Sequence, residues 1–101
     1  MRGAFVYIMS NRHRRIYVGS TVNLPIRVAQ HKRKHFPNAF TARYQFYRLV
    51  WFEACATLVA ALSREKQIKG WVRAKKVALI QAKNPNWKDL SATWGELLMT
   101  E

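Results

Sequence analysis

The sequence predicts a small α/β domain with a three-stranded sheet that opens on an antiparallel hairpin. Three observations carry this. Two runs rich in β-branched and aromatic residues, AFVYIMS and RIYVGS, meet through the polar residues NRHR, a connection of hairpin length. Three later stretches, IRVAQHKRK, LVAALSREKQIKGW and WVRAKKVALIQAK, repeat apolar residues at helical spacing. Between the first two of these lies YRLVWFEAC, a near-continuous apolar run of strand length that suits a central position. The 101 residues provide for one core and are too few for two domains, so residues 1–101 are expected to form one unit.

The hairpin strands fall at about residues 4–10 and 15–20. Alternation places Phe5, Tyr7 and Met9 on one face, Val6 and Ile8 on the other, and Tyr17 with Gly19. Which of these faces coincide depends on the hairpin register, which the sequence leaves open. Asn23 offers an N-cap and Pro25 a first-turn residue for the first helix, on which Arg27 and His31 lie one turn apart. Pro37 ends that helix, and HFPNAFTARYQF reads as an aromatic and basic loop. Thr57 caps the second helix, where Leu58, Ala61, Leu62, Glu65 and Ile68 share a stripe. Gly70 breaks it, and a third helix turns Val72, Val77, Leu79 and Ile80 inward. NPNWKDL is a turn, and SATWGELLMT reads as a short amphipathic helix.

Charge narrows the function. Eighteen Lys and Arg against five Asp and Glu leave a formal charge of +13, which draws polyanions and above all nucleic acid. An apolar half and 13% aromatic residues favour a folded binder or enzyme over a ribosomal or chromatin tail. No apolar run approaches the roughly 18 residues of a membrane span, and the N-terminus is too short in apolar residues for a secretory signal, so a cytoplasmic protein is expected. The single Cys55 fits a reducing compartment and reads as a packing residue.

Tyr7, Tyr17, Arg27, His31 and Glu65 are the candidates for chemistry. Each has a bland use as well: strand tyrosines pack cores, and Arg27 and His31 on a helix of so basic a chain could be solvated charges or phosphate contacts. Glu65 is the most informative, because a scarce carboxylate beside an apolar stripe must pair with a cation or hold a metal.

FVY at 5–7, YVG at 17–19, an arginine eight residues after that glycine, a histidine one turn later and a glutamate on the second helix together resemble the GIY-YIG nuclease superfamily. YRLVWFE, REKQIKGW and NPNWKDL are similar to its small single-domain bacterial branch, so the resemblance spans nearly the whole chain. Phe5 and Val6 depart from the Gly and Ile of the family label, while Tyr7 keeps its place. The resemblance implies a three-stranded antiparallel sheet flanked by helices, and metal-dependent hydrolysis of phosphodiesters in DNA. It implies Tyr17 as candidate general base beside Tyr7, Arg27 on the scissile phosphate, and Glu65 as the ligand of one divalent ion, Mg²⁺ or alternatively Mn²⁺. Gly19 would allow close approach, His31 would support proton transfer or positioning, and Asn84 would match a late asparagine near the site.

The chemistry suits these residue types. One carboxylate leaves a hard ion open positions for phosphate and water. Arginine offers a fixed pair of N–H donors where lysine is a point charge. A phenol, with a reference pKa of about 10, needs a cationic field to serve as base near neutrality. Arg12, His13, Arg14 and Arg15 on the hairpin loop, with Lys32, Arg33, Lys34 and His35 at the end of the first helix, read as a substrate track or as solvated surface, and Phe36, Phe40, Tyr44 and Phe46 read chiefly as core packing, with stacking on unpaired bases as the alternative. A monomer is the default, with a targeting protein as a further partner. Two other readings stay open: a nucleic-acid-binding module that cuts weakly or only with a partner, and an RNA-binding protein.

Overall fold

The computed structural model of the protein describes residues 3–33 and 45–94. Along the chain they form β1 (Ala4–Ser10), β2 (Ile16–Thr21), α1 (Leu24–Lys32), β3 (Arg48–Cys55), α2 (Leu58–Lys69) and α3 (Arg73–Lys83). The strands make one sheet in the order β2-β1-β3, antiparallel throughout. This is the α/β architecture expected from the sequence, with one correction: β1, not β3, is central. Residues 4–10 are the more deeply buried run, whereas β3 exposes Phe52 at the sheet edge.

The apolar continuity of β3 has another cause. Ile8 pairs with Trp51 and Met9 with Leu49, so the register slips by one residue at Val50. Such a bulge sets two successive side chains on one face. Val50 and Trp51 accordingly both pack with Val6, Ile8, Val18, Ile68, Ile80 and Trp87, the core beneath α2 and α3. The opposite face carries Tyr7, Met9, Leu24, Val28, Phe46 and Leu49, the core beneath α1. Phe46 therefore packs inside and offers no surface to a base.

The caps form as the sequence proposes. Asn23 Oδ1 accepts from Ile26 N at 3.2 Å and Thr57 Oγ1 from Ala60 N at 3.1 Å, each satisfying an amide that the helix leaves unpaired. The inward stripe of α2 is narrower than expected. Ala61, Glu65 and Ile68 face the sheet at i, i+4 and i+7, while Leu58 and Leu62 stand on the flank, exposed. Val72, the cap residue of α3, is exposed too, and Ile80 is that helix's buried anchor.

Asn84 and Asp89 secure the segment after α3. Asn84 Nδ2 donates to the carbonyls of Val50 and Lys88, and its Oδ1 accepts from Lys88 N. Asp89 accepts from Leu49 N and Ser91, and pairs with Lys32 at 2.6 Å, tying this segment to both β3 and α1. Burial raises the Asp89 carboxyl, and these donors more than offset it, leaving its pKa lowered. Of the expected C-terminal helix, residues 95 onward lie outside the described residues, as do Lys34, His35, Phe36, Phe40 and Tyr44. No helix among the described residues is long and apolar enough to cross a membrane.

Candidate active site

The hairpin register places the tyrosines. Tyr7 pairs with Gly19 and Met9 with Tyr17, so both phenol rings lie on the α1 face of the sheet, with centroids 6.3 Å apart. Gly19 makes this possible. A Cβ there would stand 2.7 Å from Tyr7 Oη and 3.0 Å from the Tyr17 ring, so the missing side chain is the space the phenol occupies.

Asn23 starts α1 immediately after β2, which aims its inner face at the same place. His31 is buried, with its Nε2 2.9 Å from Tyr7 Oη and its ring 5.3 Å from that of Tyr17. Arg27, one turn earlier and half-buried, sets its positive charge beside both Tyr7 and His31. Four of the predicted residues thus meet within one notch.

Burial sets their protonation. Tyr7 is raised well above an ordinary phenol, first by burial and then by Tyr17, with Arg27 partly opposing the shift. His31 is lowered to about 4, by burial and then by the positive charge of Arg27. Both are therefore neutral at physiological pH. The pair shares one proton-bearing hydrogen bond, and Tyr7 serves as a fixed phenol rather than an ion.

Glu65 approaches from the other face. It reaches the edge strand β2 from α2, where its Oε1 accepts from Ser20 Oγ at 2.5 Å and its Oε2 pairs with Lys69 Nζ at 2.6 Å. Its side chain is 17% exposed, and its charge acts on Tyr7 from the far side of edge strand β2. Ser20 and Lys69 were not among the predicted residues. Both were in principle legible: Ser20 alternates with Gly19 to the opposite face, and Lys69 lies four residues after Glu65.

The other candidates sit elsewhere. Arg14, at φ 62°, lays its guanidinium over Trp87 at 5.0 Å, and its carbonyl accepts from Arg73, which ties the hairpin loop to α3. Arg15 is exposed on the same loop, Lys32 is paired with Asp89, and Asn84 is buried against backbone. All three carboxylates among the described residues, Glu53, Glu65 and Asp89, are paired with cations, so most of the positive surface is left for a polyanion.

The GIY-YIG catalytic domain model matches residues 3–78, which include every residue of this notch as well as Glu65. The chain belongs to the GIY-YIG family. It is 35% identical over 81 residues to a UPF0213 protein of Syntrophus aciditrophicus (strain SB), covering 80% of this chain and 92% of that one. A UPF0213 protein of Haloquadratum walsbyi is 35% identical over 77 residues, covering 76% and 85%. The solution NMR structure of a UPF0213 protein from Bacillus halodurans matches with a TM-score of 0.55 at 23% identity, over 90% of this chain and 97% of that one, a likeness of fold. GIY-YIG domains are nuclease domains, which implies a nucleic-acid substrate, and they generally use divalent metals.

The residues present fit such an ion. Among the described residues no three His, Cys, Asp or Glu converge, so a cage built wholly from protein ligands is absent there. What Glu65 offers instead is a single hard carboxylate on which a cation, the Lys69 ammonium, already rests. A hydrated divalent ion needs only one or two such oxygens.

Proposed function

We propose that this chain is a metal-dependent endonuclease that hydrolyses phosphodiester bonds in DNA. The observation that supports it best is the convergence of Tyr7, Tyr17, Arg27 and His31 in one notch, with the Glu65 carboxylate across the same strand.

Glu65 would hold one Mg²⁺ ion, which when bound neutralises charge on the phosphate and supports the leaving oxygen. Arg27 binds the scissile phosphate through its planar fork, presented from a half-buried position where part of its hydration is already removed. As the phenolate, its own proton having passed to solvent, Tyr17 takes the proton of the attacking water. It is the reachable tyrosine, being half-buried, whereas Tyr7 and His31 are buried and Tyr7 Oη is engaged with His31 Nε2. Their role is to hold Arg27 and the Tyr17 ring in place, since small displacements in a site of this kind are costly.

Labelled single-stranded, duplex and forked DNA, with Mg²⁺ or Mn²⁺, tests the proposal when wild type and Glu65→Gln are purified side by side. Cleavage by wild type alone is expected. Equal cleavage by both, or none by either while binding persists without metal, would refute it in favour of a binding module.

A further inference from the structure

The structure assigns a second function to the helix that carries Glu65. We infer that Lys69 holds the cation position of Glu65 in the free protein and yields it to the divalent ion when a nucleic-acid phosphate arrives, so that metal and substrate load together. This rests on the reading of Glu65 as metal ligand.

Lys69 Nζ lies 2.6 Å from Glu65 Oε2, while Ser20 engages Oε1. An ammonium has no lone pair with which to join a metal's coordination shell, so the two cations compete for one oxygen. The contact is built to open: the Lys69 side chain is 52% exposed on a flexible stem, and pairs one turn apart on a helix surface are weak. Glu65, at 17% exposure, stays where Ser20 holds it. The mobile partner is therefore the lysine.

Once displaced, Lys69 needs another anion. The chain has eighteen Lys and Arg for five carboxylates, and the three described carboxylates are already paired. A phosphodiester entering the notch supplies one, and lysine is a common phosphate partner. Without it, a metal on Glu65 sits beside an uncompensated ammonium, which repels it. Phosphate thus strengthens metal binding, and by linkage metal strengthens phosphate binding to the same degree.

Mn²⁺ binding to the full-length chain, followed by electron paramagnetic resonance of the free ion, tests this without reference to cleavage. The measurement is made with and without a forked DNA oligonucleotide, on a Tyr17→Phe background to slow cleavage. The ions that the DNA itself binds are subtracted using the same mixture with Glu65→Gln. DNA is expected to tighten Mn²⁺ binding about fivefold or more. Lys69→Met should tighten it about as much without DNA and abolish most of the further gain. Lys66→Met removes an equal charge from the same helix without touching the ion pair, and should change binding by less than about twofold. If Lys69→Met matches Lys66→Met, or DNA leaves wild-type affinity unchanged, the coupling is wrong while Glu65 remains the ligand. If Glu65→Gln binds Mn²⁺ as wild type does, the metal-ligand reading falls, and the coupling with it.

Discussion

Gly19→Ala places a methyl group where the Tyr7 phenol now lies. The new Cβ would be 2.8 Å from Tyr7 Cζ and 2.7 Å from its Oη, so the ring has to retreat by about 0.7 Å or more to reach ordinary contact. It has nowhere to go. Tyr7 is fully buried and its Oη is already 2.9 Å from His31 Nε2, so retreat compresses or breaks that hydrogen bond. Overpacking costs about 1–3 kcal/mol and a lost buried hydrogen bond about 1 kcal/mol more. The stiffer unfolded chain returns only about 0.4–1 kcal/mol. A net loss of ~1–3.5 kcal/mol is expected in urea unfolding, with cleavage slowed at least tenfold because Arg27 and Tyr17 pack beside the displaced ring. Gly70→Ala is the matched control. Gly70 is already in the right-handed helical region, and its Cβ would meet nothing closer than 3.5 Å, so the same change there should be neutral or stabilising by up to ~1 kcal/mol. A Gly19→Ala protein within about 0.5 kcal/mol of wild type, cutting at the wild-type rate, would refute the wedged geometry.

Tyr17→Phe should retain folding and DNA binding yet slow hydrolysis by about 10²-fold, and an unchanged single-turnover rate would remove Tyr17 as base. Arg27→Lys keeps the charge and loses the fork, so its rate should fall as well; activity that followed charge alone would contradict the bidentate role. His31 titrates at about 4 when folded against an ordinary 6.5, so the unfolded chain takes up its proton first as the pH falls. Its contribution is complete above pH 6.5 and disappears between 6.5 and 4, a loss of up to ~3 kcal/mol that His31→Gln should flatten in chemical unfolding across that window. Asn84→Ala strips partners from the Val50 and Lys88 backbone and should cost ~2–3 kcal/mol in thermal unfolding, with the cleavage rate of the folded protein unchanged. A slowed rate would instead give Asn84 a part in the site.

By itself, the sequence determined the elements, because their causes are local. Caps at Asn23 and Thr57, a break at Gly70 and period-two alternation through residues 4–10 act between near neighbours, and each forms as written. The spacing of Arg27 to His31 likewise needs only the pitch of one helix. Pairing across the sheet is not local. Whether Tyr7 faces Gly19, which strand is central, and where a bulge lets Val50 and Trp51 share one face all follow from long-range register. Only the tertiary structure could therefore seat the Tyr7 phenol in the space above Gly19 and against His31, and join Glu65 to Ser20 across the sheet edge. It also lays Arg14 over Trp87 and sets Asn84 into the core, whereas charge suggests Arg14, and the family resemblance Asn84, as neighbours of substrate. Residue type states what a side chain is able to do, but burial and partners, which come from residues distant in sequence, decide which protons it keeps and what it touches.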